Sequence, residues 1–317
     1  MTKQPLIVIC GPTASGKTAL SIALAKTIGC EVVSADSMQI YKGMTIATAK
    51  PTPEEMDGVP HHLIDFLEPS NSFSVADYVS LAHKAIEDIS NRGMIPLVCG
   101  GTGLYINSLV DNITFDESCS STTLRDELLE LAKEKGNGYL LDMLCEFDPE
   151  SAERFHENNL TRIIRAIEVY KTTGKTISQF NRESKDKGSP YDAVMIGINY
   201  CDRQKLYDRI NLRVDMMMEN GLLDEAKEVL SGDLKTSYQA IGYKELAPYF
   251  NGEAYLEDCI DKLKMESRRY AKRQLTWFRR DERINWIYAD ECSSFEEIVA
   301  KALEIVLSSG IDFSKEK

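Results

Sequence analysis

Eight consecutive residues near the start of the chain have the composition of a phosphate-binding loop. The segment GPTASGKT, Gly11 to Thr18, fits the pattern G-x-x-x-x-G-K-[ST] between an apolar run and a helical pattern, the context that the motif requires. Backbone N–H groups and a helix N-terminus would face phosphate oxygens there, and the threonine hydroxyl can ligate Mg²⁺. The predicted diphosphate contacts are Gly11, Thr13, Ala14, Ser15, Gly16, Lys17 and Thr18.

The loop alone leaves the reaction open, because kinases, GTPases, ATPases and some transferases all use it. The N-K-x-D element that a GTPase needs for guanine is absent from the sequence. The nearest candidate for a Walker-B aspartate ends the short run Leu63-Ile64-Asp65. A nucleoside triphosphate and another diphosphate therefore both remain candidate ligands.

A carboxylate follows the second predicted strand. Asp36 comes directly after Glu31 to Ala35, so a parallel sheet would place it at the ligand edge near the phosphate loop. Ser37, Gln39 and Tyr41 follow, and they could hydrogen-bond a heterocycle. Asp36 could order a turn, or it could act as a general base beside a phosphorylated electrophile.

Two further groups have types and positions suited to the same edge. Thr102 lies in the turn Gly100 to Tyr105 after an apolar strand, where it could equally be a helix cap. Arg209 and Arg213 are four residues apart on one predicted helix, so they project together, either as a phosphate clamp or as a solvated face.

Charge is distributed unevenly along the chain. The net charge of −13 argues against nonspecific adhesion to nucleic acid or anionic membranes. The segment from Lys262 to Arg283 nevertheless contains nine basic residues and three acidic ones. Such a stretch in an acidic protein indicates a directed contact with a polyanion, although Trp277 within it could also be a core residue.

The composition predicts a cytoplasmic enzyme without a metal centre built from cysteine or histidine. The eight cysteines are dispersed, with no C-x-x-C pair, and there are four histidines. The apolar run Leu6 to Cys10 is too short for a signal peptide, and no run approaches the length of a membrane span.

The elements that must position these residues follow an α/β pattern. Short apolar runs alternate with helical patterns in the first half, which predicts a P-loop type of parallel sheet flanked by helices. Residues 116–190 have helical patterns only and are predicted to be an all-helical insertion domain. Residues 1–115 and 191–317 would form the core, with helices after the strand Ala193 to Asn199, including one from about Leu256 to Arg280.

Together these motifs resemble one family, the tRNA dimethylallyltransferases, also called tRNA isopentenyltransferases. Nine motifs occur in the family's order between residues 11 and 280, which leaves chance resemblance negligible. They are GPTASGKT, DSMQIY, TAK-P, HHLID, GGTGLY, RIIRAIEVY, RINLRVDMMMENGL, AIGYKE and AKRQLTWFRR.

The sequence departs from the family pattern at one position and lacks one segment. Ala47 stands where the family usually has glycine, which puts the local turn in question. The C-terminal zinc finger of eukaryotic relatives has no counterpart, so the chain resembles the compact bacterial form.

The resemblance implies transfer of a dimethylallyl group from dimethylallyl diphosphate to N6 of the adenosine 3′-adjacent to the anticodon, with release of diphosphate. It implies Asp36 as general base, catalytic roles for Thr102 and Arg213, binding of the diphosphate by Arg213 as well as by the loop, and Mg²⁺ held partly by Thr18. It implies tRNA, through its anticodon stem-loop, as the partner of a protein expected to be a monomer.

The resemblance also implies which residues contact tRNA. They are Asp36, Ser37, Met38, Gln39, Thr102, Thr161, Arg162, Ile163, Ile164, Arg165, Gly242, Tyr243, Lys244, Lys272, Arg273, Gln274, Thr276, Trp277 and Arg279.

Three rival functions remain open from the sequence. A small-molecule kinase would explain the loop but not the basic segment, and it would consume ATP. An adenylate isopentenyltransferase would not need the insertion or the basic segment. A noncatalytic RNA-binding switch would leave Asp36 unexplained.

Overall fold

A computed structural model describes residues 3–113 and 122–311. They form two compact units, one of residues up to 109 and from 190 onward, and one of residues 110–189. The insertion thus begins six residues before the predicted position 116 and ends one residue before the predicted 190.

The first unit is built on a sheet of six parallel strands. The strands are β1 (Gln4–Cys10), β2 (Cys30–Ser34), β3 (His61–His62), β4 (Ile95–Gly100), β5 (Tyr191–Asn199) and β6 (Ile284–Tyr288). Their order across the sheet is β3-β2-β4-β1-β5-β6. Since all strands run in the same direction, their carboxyl ends share one edge, where ligands bind in open α/β sheets.

Helices connect the strands and complete both units. The first four are α1 (Lys17–Ile28), α2 (Pro53–Met56), α3 (Val75–Asn91) and α4 (Gly103–Val110). The insertion contains α5 (Thr122–Lys135), α6 (Asn137–Cys145), α7 (Pro149–Arg154), α8 (Leu160–Thr173) and α9 (Ile177–Lys187). The remainder are α10 (Arg203–Glu219), α11 (Leu222–Leu230), α12 (Tyr243–Phe250), α13 (Leu256–Phe278) and α14 (Phe295–Ser308).

Burial explains why β1 occupies the centre of the sheet. Residues Leu6 to Cys10 are completely buried, and a continuous apolar run is typical of a parallel strand covered on both faces. α1 and α14 supply much of the apolar cluster that packs with β1, including Leu20, Leu24 and Ala302. The prediction of a parallel α/β fold with flanking helices is confirmed.

The prediction that the chain after Asn199 is entirely helical is wrong. Residues Ile284–Tyr288 form β6, which pairs in parallel with β5. The segment INWIY has buried isoleucines separated by more exposed residues, but it is only five residues long and follows directly on the basic stretch. The two-residue strand β3 was not predicted either, because so short a run shows no alternation of buried and exposed residues.

The insertion has an apolar core of its own. Leu128, Leu140, Leu144 and Ile167 are among the buried residues of this cluster. Glu168 is fully buried within α8, and its carboxylate accepts hydrogen bonds from Arg125 and Arg165 at 2.9 Å. A buried charge requires such partners, so the two arginines stabilise α8 within the unit.

Candidate active site

The phosphate loop connects β1 to α1 with a backbone that requires glycine. Gly11 has φ +145°, and a Cβ there would lie 2.3 Å from the carbonyl oxygen of Ile198 on β5. Gly16, with φ +101°, caps the N-terminus of α1 in the left-handed conformation. The loop therefore lies tight against the sheet, and α1 directs its first N–H groups toward the loop, as an anion site requires.

Lys17 is half-buried in this loop, and its ammonium group donates a hydrogen bond of 2.6 Å to the carbonyl oxygen of Pro12. The pKa of Lys17 is lowered to about 8, chiefly by burial, and the charge of the nearby Arg213 acts in the same direction. The hydroxyl oxygen of Ser15 is buried with no hydrogen-bond partner among the described residues. An anion bound in the loop would stabilise the charged form of Lys17 and would accept a hydrogen bond from the hydroxyl of Ser15.

Two arginines of α10 reach the same loop. Arg213 Nη1 lies 3.4 Å from the hydroxyl of Thr13, and Arg209 Nε donates to the carbonyl oxygen of Ala14 at 3.0 Å. Burial lowers the pKa of Arg213, and the negative charge of Asp36 opposes that shift. The loop thus has Lys17 and both arginines around it, the arrangement that a phosphate clamp would need.

Asp36 orders its own turn and leaves one oxygen unused. Its Oδ1 accepts from the backbone N–H groups of Met38 at 2.9 Å and Gln39 at 3.3 Å. The second carboxylate oxygen has no hydrogen bond within residues 3–113 and 122–311, and Asp36 lines the cavity described below. The structural role therefore uses one oxygen, and the other can meet a ligand.

Thr102 lies beside Asp36 but is engaged by the protein. Its hydroxyl accepts from the backbone N–H of Ser37 at 3.1 Å, and its own N–H donates to the carbonyl oxygen of Ala35 at 3.1 Å. Gly100 must be glycine there, since a Cβ would lie 2.1 Å from that Ala35 oxygen. The turn after β4 is thus fixed to the end of β2.

Gln39 also has an internal role. Its side-chain amide donates to the carbonyl oxygens of Thr48 and Ala49, both at 3.1 Å, so it holds the following loop. Ala47 in that loop does not have a positive φ, which explains why alanine is accepted where the family usually has glycine.

The same loop is also held from α11. Three successive N–H groups, of Thr45, Ile46 and Ala47, donate to the carboxylate of Glu225.

A cavity of about 400 Å³ joins these groups within the first unit. Part of its wall is apolar, formed by Ile210, Val214, Met217 and Leu263. The sequence-predicted residues that line it are Thr13, Lys17, Thr18, Asp36, Ser37, Met38, Gln39, Arg213, Gly242, Lys244, Arg273 and Gln274. The cavity therefore offers a cationic loop, a carboxylate and an apolar wall to one ligand.

Tyr270 on α13 is a cavity residue that the sequence did not reveal. Burial raises the pKa of its hydroxyl, and the charge of Asp36 raises it further, so the phenol stays neutral at ordinary pH. Tyr270 lies three and four residues before Arg273 and Gln274, hence on the same helix face. From the sequence, only this spacing could have indicated that Tyr270 lines the site.

The predicted tRNA residues of α13, together with Arg279 at its C-terminal cap, fall on two different faces. Lys272, Thr276 and Arg279 are exposed, whereas Gln274 is buried and bonded to the protein. Trp277 is half-buried, and its indole N–H donates to Asn107 Oδ1 at 2.9 Å. The exposed face offers positive charge to a polyanion, and the inner face packs against the core.

The other predicted tRNA residues lie in α8 and at the start of α12. In α8, Thr161 and Arg162 are exposed, Ile163 and Ile164 are buried, and Arg165 pairs with Glu168. At the start of α12, Tyr243 is buried and donates to Glu225 at 2.9 Å. In both segments, only part of the predicted set has a side chain available to a partner.

The oxygen atoms that line the cavity suit an Mg²⁺ ion that is bound mainly through phosphate oxygens of a ligand. Among the described residues, no group of three or more His, Cys, Asp or Glu side chains could hold a metal ion. Thr18 and Asp36 both line the cavity and offer oxygen atoms. Mg²⁺ in phosphate sites commonly takes one or two protein oxygens together with phosphate and water oxygens, so these residues fit it.

None of the helices in the described ranges is long and apolar enough to cross a membrane.

Comparison with known sequences gives one consistent result. A family model described as IPP transferase matches residues 39–281. The tRNA dimethylallyltransferase of Bacillus subtilis is 51% identical over 287 residues, which are 90% of this chain and 91% of that protein. That of Caldanaerobacter subterraneus is 49% identical over 297 residues, 92% of this chain and 94% of that protein.

Solved structures agree. The full-length tRNA isopentenylpyrophosphate transferase of Bacillus halodurans superposes with a TM-score of 0.73 at 45% identity and covers 97% of both chains. A eukaryotic dimethylallyltransferase, captured acting on tRNA, superposes with a TM-score of 0.83 at 29% identity. That match covers 98% of this chain and 82% of the other.

Proposed function

The chain belongs to the IPP transferase family and is an enzyme of the tRNA dimethylallyltransferase type, and from this premise we propose how its site works. It transfers the dimethylallyl group of dimethylallyl diphosphate to N6 of the adenosine 3′-adjacent to the anticodon. A new N6–carbon bond forms, the bond from the allylic carbon to the diphosphate oxygen breaks, and diphosphate leaves with the electron pair.

The main support for this function is that one cavity is lined by both the phosphate loop and a carboxylate with an unused oxygen. Lys17 and Arg213 surround the loop with positive charge, which stabilises the charge that develops on the leaving diphosphate. The apolar wall formed by Val214, Met217 and Leu263 suits a five-carbon prenyl group.

Asp36 acts as the general base. The lone pair of the adenine amino group is delocalised into the ring, so removal of a proton during attack favours bond formation. The unused oxygen of Asp36 receives that proton, while its other oxygen remains bound to the turn. Tyr270, a neutral phenol beside this carboxylate, can donate a hydrogen bond in the same cavity.

Thr18 would supply an oxygen ligand for Mg²⁺, which would add positive charge beside the diphosphate when bound. Thr18 also orients the donor, since it lies in the first turn of α1 directly after the loop.

The exposed basic face of α13 holds the tRNA backbone. Lys272 and Arg279 project to solvent from that face, and Arg273 is exposed while also lining the cavity. A base within an anticodon loop must leave its stack to enter such a cavity, so the target adenosine is flipped. Thr161 and Arg162 of the insertion provide a second contact for RNA. The enzyme acts in the cytoplasm, as a monomer.

The test is transfer of label from dimethylallyl diphosphate in the presence of Mg²⁺, with unmodified tRNA and AMP supplied in parallel reactions. We expect label in tRNA, without ATP, at the adenosine beside the anticodon. Label confined to AMP would make the chain an adenylate isopentenyltransferase, and transfer of the γ-phosphate of ATP would make it a kinase.

A further inference from the structure

The side chain of Gln274 joins two loops that lie far apart in the sequence. Its Oε1 accepts from the backbone N–H of Thr13 at 2.8 Å, and its Nε2 donates to the carbonyl oxygen of Gly101 at 3.0 Å. The residue is 6% exposed. Both ends of its amide are thus committed to the protein, in a setting where breaking a hydrogen bond is costly.

The contact at Gly101 is also sterically close. A Cβ on Gly101 would lie 2.2 Å from Nε2 of Gln274, and its next neighbour outside that side chain would be the carbonyl oxygen of Gly11 at 3.6 Å. Gly101 does not have a left-handed φ, so its backbone would accept another residue. Glycine is needed here to leave space for Gln274.

The two loops are connected to different reacting groups. Thr13 belongs to the phosphate loop and contacts Arg213. Gly101 precedes Thr102, whose hydroxyl holds the N–H of Ser37, the residue that follows Asp36. Gln274 therefore makes one hydrogen bond to the loop for the leaving group and one to the turn after β4, which Thr102 joins to the residue next to the proposed base.

We propose that Gln274 is a positioning residue for the transfer step, which sets the distance between the bound diphosphate and Asp36. This inference rests on the proposed function. It assigns Gln274 an internal role in place of the contact with tRNA that the family resemblance implies, because its amide has both of its groups occupied inside the protein.

The first test replaces Gln274 by Met, which has a similar length and no amide. The single-turnover rate at saturating tRNA and dimethylallyl diphosphate should fall about 100-fold, the order expected when reacting groups are misplaced by about 1 Å. KM for both substrates should change less than about threefold, since both groups of the amide are bonded to the protein. Gln204→Met, on the exposed face of α10, is the matched control and should leave the rate unchanged.

A double-mutant cycle makes the test independent of any loss of stability. Gly101→Ala forces the Gln274 side chain aside, and Gln274→Ala removes the side chain that the added methyl group would meet. If the two residues act through one contact, the double variant should be no slower than the slower single variant. Effects that multiply instead would show that the contact is not the cause.

The outcomes separate this inference from the proposed function. A raised KM for tRNA with an unchanged single-turnover rate in Gln274→Met would make Gln274 a tRNA contact and overturn the positioning role. A rate equal to that of the unaltered protein would overturn it as well. Absence of prenyl transfer by the unaltered protein would instead remove the proposed function.

Discussion

Lys17 is the residue on which the affinity of the phosphate loop for anions depends most directly. Its ammonium group is enclosed among protein atoms and lies near Arg213, and both effects disfavour its charged form. Bound diphosphate would reverse this balance, because an opposite charge at short distance favours the protonated lysine.

The affinity for inorganic pyrophosphate should therefore depend on pH. With a pKa of about 8 in the free protein, Lys17 is charged below that pH and loses its charge as pH rises through it. We expect Kd to increase by up to about tenfold per pH unit above pH 8. Titration calorimetry between pH 6.5 and 9.5 measures this.

Lys17→Arg serves as the control, since arginine stays charged across that range. Titration of pyrophosphate itself is common to both proteins, so the difference between their pH profiles isolates Lys17. Identical profiles would show that Lys17 does not titrate in this interval.

Two substitutions distinguish the roles of Asp36. Asn keeps an oxygen for the N–H groups of Met38 and Gln39 but cannot act as a base, whereas Ala loses both functions. We expect Asp36→Asn to lower the single-turnover rate by about 10² to 10⁴ and to bind pyrophosphate almost normally. Asp36→Ala should add a loss of thermal stability, measured by Tm. An active Asp36→Asn variant would exclude the carboxylate as the base.

The sequence indicated which residues would lie together where their place in a strand, loop or helix determined their position. Asp36, Lys17 and Arg213 all line one cavity, because each follows a strand or lies on a helix face with a regular period. It could not predict which amides the protein would use internally. Gln39 and Gln274 both bond to backbone groups, and those partners depend on packing between distant segments.

At the scale of elements, α13 combines two functions on opposite faces. Its exposed face carries Lys272 and Arg279, and its inner face carries Tyr270 and Gln274. Composition alone indicated the contact with a polyanion, since the nine basic residues are visible without a structure. The inner face could be predicted only from a 3.6-residue apolar period, which the basic residues obscure. The short strand β6 was not predicted for a similar reason, because it follows immediately on this basic stretch.

Removing charge from the exposed face should weaken tRNA binding and its salt dependence. For Lys272→Ala with Arg279→Ala, we expect the slope of log K against log salt concentration to become shallower by about 2, one for each phosphate that the variant no longer neutralises. Filter binding at several salt concentrations measures this slope.

Lys84→Ala with Lys227→Ala removes the same charge from exposed positions that do not line the cavity, and it should leave the slope nearly unchanged. If both pairs of substitutions changed the slope equally, the effect would reflect net charge rather than a contact of α13.

At the scale of the whole molecule, a buried carboxylate joins three elements of the α/β core. Glu31 on β2 is 5% exposed and accepts hydrogen bonds from Arg92 at the end of α3, at 2.8 Å, and from His62 on β3, at 2.7 Å. These interactions lower the pKa of Glu31 to about 2, chiefly through Arg92 and against the effect of burial.

The free energy of unfolding should consequently depend on this residue in a pH-dependent way. Because the folded pKa is depressed, the stabilisation is complete above about pH 4.5 and is lost as pH falls toward 2. Glu31→Gln should destabilise the protein by up to about 3 kcal/mol at pH 7, with the difference shrinking at pH 3. Urea unfolding at both pH values measures this. Glu68→Gln breaks an exposed ion pair and should have little effect at either pH.

The order of strands in the sheet has a consequence for synthesis of the chain. β1 lies between β4 and β5, whose residues Leu97 and Val194 lie opposite Ile7. The helices α5 to α9 instead find their core partners within one short continuous segment. On the ribosome, the insertion can therefore fold while β1 still lacks one of its neighbours. The nascent phosphate loop, whose Gly11 rests on Ile198 and whose Thr13 is held by Gln274, stays unformed until nearly the whole polypeptide has emerged.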